Sequence, residues 1–304
     1  MTTTTRHSSS RLLSRLSSIG VMYLVLVFAA PAAHADPADA LYRDGLAFKS
    51  QGRIDEAIGA LEKAVAARDS HVMAWASLGS LYKQKKLYDK AVHAYERATA
   101  QSKNNATLWA NLGYAYYRAD KPDQAVTALV KACRLDPKNA EVHSFLGVIK
   151  RKQGKPKEAI RHLQWAVKFK PKDVEYLNNL GVAYRANAQI KEAMEIYKRV
   201  VALDPNVAAY WFNLGITYRR QEMIDQAIES YTKATTLDST HAGAWYDLGV
   251  MYRLNHDNEK AIAAFERYLG LTRGKDAKAD KLVEDEIEAL GGKLAPKKKA
   301  PKKK

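Results

Sequence analysis

A period of 34 residues constrains this chain more than any other feature. From Ala38, seven blocks follow without a gap, starting at residues 38, 72, 106, 140, 174, 208 and 242. Position 8 is always glycine (Gly45, Gly79, Gly113, Gly147, Gly181, Gly215, Gly249) and position 20 always alanine (Ala57, Ala91, Ala125, Ala159, Ala193, Ala227, Ala261). Position 24 is always large: Leu61, Tyr95, Leu129, Leu163, Tyr197, Tyr231 and Phe265. Trp75, Trp109, Trp211 and Trp245 hold position 4, while Tyr82, Tyr116, Tyr184, Tyr218 and Tyr252 hold position 11. Pro137, Pro171 and Pro205 close three blocks at position 32.

The spacing is helical. At about 100° per residue, positions 4, 7, 8 and 11 fall within one arc of roughly 100°. That arc mixes large apolar groups with glycine, as a close helix–helix contact requires. The second half of a block, such as "DQAIESYTKA" (225–234), puts Ala227, Tyr231 and Ala234 on one face. One helical hairpin cannot bury both of its faces, but a stacked neighbour can, so the array is predicted to be a solenoid. Looser packing is expected in the fourth block, where His143 and Lys150 replace the aromatic residues. At the end, Leu282, Val283, Ile287 and Leu290 are expected to line one side of a capping helix over 276–291, stopped by Gly291 and Gly292.

The pattern resembles the tetratricopeptide repeat family, a helix–turn–helix unit of 34 residues. The resemblance covers residues 38–275. It implies an all-α solenoid, a right-handed superhelix of repeats 38–71, 72–105, 106–139, 140–173, 174–207, 208–241 and 242–275, with a C-terminal capping helix. It also implies that the opposite arc of each first helix (positions 2, 5, 6, 9, 12 and 13) lines a concave groove where extended peptides bind.

In this chain position 12 reads Lys49, Lys83, Tyr117, Arg151, Arg185, Arg219 and Arg253, and Arg118 follows the one exception. Position 6 carries Asn111, Asn179, Asn213 and Asp247, similar to the asparagine ladder with which some family members hold a peptide backbone. An amide donates and accepts at once, which suits main-chain groups of any sequence. Position 9 supplies an apolar floor: Leu46, Val148, Val182, Ile216 and Val250. Arginine's planar fork suits carboxylates, so the expected ligand is an extended protein segment, possibly acidic. The competing reading makes position 12 a solvated edge. Tyr42 and Leu46 occupy the places where chaperone-binding relatives carry a carboxylate clamp, so that clamp is not matched.

Nothing points to catalysis. The sequence has no H-E-x-x-H, paired CxxC, P-loop or G-x-G-x-x-G, and its histidines lack metal-ligand spacing. A non-enzymatic interaction scaffold or adaptor is expected, without cofactor or metal. Cys133, the only cysteine, allows no internal disulfide and reads as a small core residue.

The formal charge of +16 sits largely at the ends. Residues 1–35 hold three arginines and no acid, residues 292–304 seven lysines and no acid, which leaves +6 for residues 36–291. Nucleic acid is therefore an unsuitable partner. The apolar run Ile19–Ala33 followed by "AHA" reads as a signal peptide cleaved near Ala35, giving a periplasmic protein; the alternative is an uncleaved inner-membrane anchor. The tail, with Lys297, Lys298, Lys299, Lys302, Lys303 and Lys304, reads as disordered. It supplies the second functional reading, a tether to an anionic envelope polymer or lipid surface.

Overall fold

The structure, a computed structural model, describes residues 36–293. The expected signal segment and Lys297–Lys304 lie outside the described residues. The first helices of the seven pairs are α1 (Pro37–Ser50), α3 (Val72–Gln84), α5 (Ala106–Arg118), α7 (Ala140–Lys152), α9 (Val174–Ala186), α11 (Ala208–Arg220) and α13 (Ala242–Leu254). Their partners are α2 (Ile54–Ala67), α4 (Tyr88–Gln101), α6 (Pro122–Leu135), α8 (Pro156–Phe169), α10 (Ile190–Leu203), α12 (Ile224–Leu237) and α14 (Asn258–Thr272). A last helix, α15 (Ala277–Ala289), follows. Each helix packs against its neighbours in chain order, the arrangement of a solenoid.

The glycine at position 8 and the large residue at position 24 explain each other. In every repeat the position-24 side chain lies directly over the glycine backbone. A Cβ built on Gly181 would be 2.8 Å from Tyr197 Cζ, and one on Gly113 2.5 Å from Leu129 Cγ. Only glycine lets the two helices of a pair close to this distance. Tyr95, Tyr197, Tyr231 and Phe265 are all essentially buried in that contact.

The turn inside each pair is equally regular. Position 15 is left-handed in all seven repeats: Gly52, Lys86, Asp120, Gly154, Ala188, Glu222 and His256, with φ between 57° and 74°. The next residue donates its N–H to the position-11 carbonyl, as Gln189 does to Tyr184 (2.9 Å), closing a Schellman motif. Side chains of His71, Asn105, Asn139, Asp173 and His241 cap the following first helices.

The fourth repeat is not loose. In four repeats the position-4 tryptophan donates its indole N–H to the carbonyl six residues earlier, at 2.7–3.0 Å. His143 does the same through Nε2, 3.1 Å from the Pro137 carbonyl. The volume missing from its ring is filled by His162, whose Nδ1 is 3.3 Å from His143 Nδ1. Corresponding positions in other repeats hold small residues such as Ala94, Ala128 and Ser230. Lys150 turns to Glu158 (2.8 Å) instead of packing as an aromatic.

At the C-terminal end, Val283 and Ile287 are buried against Phe265 and Leu269, and Leu290 packs beside them. Leu282 corrects the expected face, being 68% exposed. It lies one residue, about 100°, from Val283, and so leaves the stripe formed at i, i+4 and i+7. Cys133 is half-buried, and burial pushes its thiol up to about 11, which favours the protonated form.

Candidate functional site

The residues expected to line the groove meet one another across repeat boundaries. At three of the six repeat boundaries, position 12 of one repeat reaches position 6 of the next, forming a rung between adjacent first helices. Arg185 Nη1 donates to Asn213 Oδ1 at 3.1 Å. Arg219 Nη1 donates to Asp247 Oδ1 at 3.0 Å. Tyr117 makes the aromatic version, edge-on to Phe145 with ring centroids 5.1 Å apart. After the last repeat there is no further position 6, and the capping helix supplies the equivalent. Arg253 Nη1 lies 3.0 and 2.8 Å from the two carboxylate oxygens of Glu286.

The rungs differ in how completely they are satisfied. Asp247 is buried, and its carboxyl is held above the usual range by that burial, with the Arg219 guanidinium opposing the shift. The Tyr231 hydroxyl stands beside the same carboxylate and is pushed far above the ordinary phenol value, first by burial and then by the negative charge. Arg219, Tyr231 and Asp247 therefore make a cluster with its anion built in, beside which the Tyr231 hydroxyl is buried without a hydrogen bond of its own.

One repeat earlier the same cluster lacks the anion. Tyr197 is the counterpart of Tyr231, Arg185 of Arg219, and Asn213 of Asp247. The Tyr197 hydroxyl is buried without a hydrogen-bond partner. Burial pushes it up to about 12, and the positive charges of Arg185 and Arg151 pull the other way. The Nε–H of Arg151 is also buried without a partner. Asn213 additionally faces Asn178 across 3.5 Å.

The other expected residues divide between groove and edge. Lys49 is exposed, whereas Lys83, Asn111 and Asn179 are half-buried, and none of the four makes a side-chain hydrogen bond or ion pair among the described residues. Arg118 leaves the rung row and lies over the Tyr88 ring, 5.5 Å from its centroid, at the turn edge. Leu46 and Tyr246, at positions 9 and 5, keep 37% and 40% of their surface open on the same wall. Lys152, which adds charge at position 13 of the same arc, donates to the Tyr117 hydroxyl at 2.6 Å. Sequence reasoning missed a second ladder on the opposite wall. There position-11 tyrosines bond to the preceding second helix: Tyr82 to Glu62, Tyr116 to Glu96 (both 2.5 Å) and Tyr184 to Gln164 (2.9 Å).

This geometry defines a helical-repeat solenoid with a ladder of polar rungs on its first-helix wall. Comparison with known proteins makes the class specific. A family model described as "Cilia and flagella-associated protein 70 C-terminal domain" matches residues 30–207, and two models described as "Tetratricopeptide repeat" match 208–241 and 242–274. The chain belongs to the tetratricopeptide repeat family. Such repeats generally form non-catalytic scaffolds that bind proteins or peptides.

Among solved structures, the chain is similar to the C-terminal part of a TPR repeat-containing protein from Cytophaga hutchinsonii, at 19% identity over 80% of this chain and 97% of that one, TM-score 0.65. YrrB, described as "a TPR protein with an unusual peptide-binding site", is 24% identical over 60% of this chain and 95% of its own, TM-score 0.56. MamA from Desulfovibrio magneticus RS-1 is 24% identical over 57% and 97%, TM-score 0.53. At these identities the likeness is one of fold. No curated protein matches the chain.

Proposed function

We propose that the chain is a non-enzymatic scaffold or adaptor that holds an extended segment of another protein along its first-helix wall. The observation that carries this reading is the rung row itself. Its positions recur at one register, with amides at position 6 in three repeats, apolar groups at positions 5 and 9 that stay partly open, and guanidinium groups at position 12 in the last four. Amides can bond any main chain, and the apolar floor can take alternate side chains of an extended strand. The peptide-binding site described for YrrB supports the same use of the fold. The acidic preference rests on the excess of arginine over carboxylate in the middle of the row. The leader at residues 1–35 supports an envelope location after export.

The test is site-specific crosslinking in cells. A photoreactive residue at Val182 or Ile216 should give one defined protein adduct, and one at Lys233 on the second-helix wall should give none. Adducts from Lys233 alone would sink the groove reading. The alternative is a tether working through the seven lysines of residues 292–304. It predicts that removing them releases the protein from the membrane fraction while the groove adduct persists.

A further inference from the structure

The groove contains one place where an anion is missing, and a template for that anion stands one repeat away. In the Arg219–Tyr231–Asp247 cluster the buried carboxylate takes the guanidinium hydrogen bond at 3.0 Å and lies beside the tyrosine hydroxyl. In the homologous cluster, Arg185 and Tyr197 are retained and the carboxylate is replaced by the neutral amide of Asn213. Arg151 from the preceding repeat brings a second guanidinium close enough for its charge to act on Tyr197. Two donors there, Tyr197 Oη–H and Arg151 Nε–H, are buried without a partner; the Tyr231 hydroxyl is also unpaired but has the Asp247 carboxylate beside it, which Tyr197 lacks. Buried donors without partners are costly, so native structures rarely keep them without a use. By contrast, Arg219 and Arg253 are already occupied by Asp247 and Glu286.

We propose that Arg151, Arg185 and Tyr197 form the anionic anchor of the groove, taking one carboxylate of a bound peptide in the place that Asp247 fills one repeat further on. This rests on the groove reading and sharpens it: of the four C-terminal arginines of the row, two receive ligand and two hold the array together. The anchor also gives the ligand a shape. The aromatic rung formed by Tyr117 and Phe145, with Tyr114 edge-on to the same ring at 4.8 Å, lies one repeat before Arg151 and two before Arg185. Adjacent first helices such as α7 and α9 touch, so their axes are about 10 Å apart. An extended chain rises about 3.3 Å per residue. The fitting segment therefore carries an acidic residue with a bulky apolar residue about three to six positions away.

The test uses the full chain and three pools of N-acetylated, C-amidated twelve-residue peptides, random except for a central Glu, Gln or Lys. Retention of each pool is compared for wild type, Asn213→Asp, Arg185→Gln and Asp247→Asn. The lysine-rich tail is common to all four proteins, so the differences between them report the groove alone. Wild type should retain the Glu pool about tenfold better than the Gln pool, the ratio expected for one charge-assisted pair. Asn213→Asp is nearly isosteric and supplies the missing carboxylate internally, so it should lower that ratio several-fold relative to wild type, about as far as one lost charge-assisted pair allows, while the protein stays folded. Arg185→Gln should do the same, and Asp247→Asn should preserve or raise it by opening a second anchor. Equal retention of Glu and Gln pools by wild type would overturn the anchor and leave the groove standing. A Glu preference as large in Asn213→Asp and Arg185→Gln as in wild type would also overturn it. No retention of any pool would remove the groove reading together with it.

Discussion

Arg219 and Asp247 join the sixth and seventh repeats across 28 residues of chain, through a 3.0 Å hydrogen bond on the groove wall. The arginine side chain is 38% exposed and the aspartate side chain 11%, so most of the desolvation falls on the acid. Arg219→Gln leaves that carboxylate buried and unpaired. The expected loss is about 1–2 kcal/mol at neutral pH, below the full cost of breaking a buried pair because solvent already screens the arginine. Burial already holds the Asp247 carboxyl above its ordinary value, and removing the opposing Arg219 charge raises it further. Its protonation in acid then relieves the unpaired charge, so the deficit of Arg219→Gln should shrink as pH falls toward 4. Urea unfolding of both proteins at pH 7 and pH 4 checks the magnitude and the sign. A deficit that grows in acid would mean that the pair is not the source.

The contact between positions 8 and 24 gives a second expectation. Gly113→Ala places a methyl 2.5 Å from Leu129 Cγ, in a core where Leu129 is fully buried. The overpacking should cost about 1–3 kcal/mol. Leu129→Ala alone should cost about 2–5 kcal/mol through the cavity it leaves. The added methyl occupies part of that cavity, so the double variant should lose less than the sum of the two. A double-mutant cycle from chemical unfolding measures the coupling. Simple additivity would show that the glycine is there for another reason.

Ala188 occupies a left-handed turn at φ 60° and is exposed. An L-residue there is strained by roughly 1–2 kcal/mol, part of which glycine gives back through the greater freedom of its unfolded chain. Ala188→Gly should therefore raise stability by about 0.5–1 kcal/mol, with no change at the groove. Thermal unfolding would show it as a higher midpoint.

These relationships were unequally legible in the sequence. The invariant glycine and the invariant bulky residue stand out in a single alignment of the seven blocks, and an all-α solenoid follows from their spacing. That they touch each other depends on how a hairpin closes. The left-handed turn leaves almost no compositional trace, because Lys86, Asp120, Ala188, Glu222 and His256 occupy it alongside only two glycines. Its signal is positional: the same backbone hydrogen bond to position 11 recurs in each repeat. The groove residues were legible as one arc of a helix, but the rungs were not. Whether Arg185 meets Asn213 or solvent is decided by the offset between stacked repeats, which no single repeat encodes. For the same reason sequence alone weighed all position-12 cations alike, although Asp247 and Glu286 occupy two of them and Arg151 keeps a buried donor free.

The histidine pair of the fourth repeat should make the array sensitive to acid. His143 donates through Nε2 to the Pro137 carbonyl, which leaves Nδ1 as an acceptor for the Nδ1–H of His162 3.3 Å away. A second proton would have no lone pair to share, and the surroundings oppose it. Burial lowers both values, His162 to about 4, where the charge of His143 and the nearby Arg161 and Lys150 add to the effect; Glu158 and, at His143, Asp136 pull the other way. In the unfolded chain both histidines titrate near 6.5. Their folded values are depressed, so the unfolded state binds more protons between those limits. The pair's contribution is fully present above pH 6.5 and is lost progressively as pH falls toward 4. Repeat 2 shows how to remove the effect, with Trp75, Ala94 and Arg97 at the same three positions that hold His143, His162 and Trp165. There the guanidinium lies over the indole at 5.8 Å from its centroid; in repeat 4 the exposed Trp165 stacks on His143 instead. The triple variant His143→Trp, His162→Ala, Trp165→Arg should match wild type at pH 7.5 and retain a higher unfolding midpoint at pH 5. If both proteins lose stability in parallel across that interval, the acid sensitivity belongs to other groups.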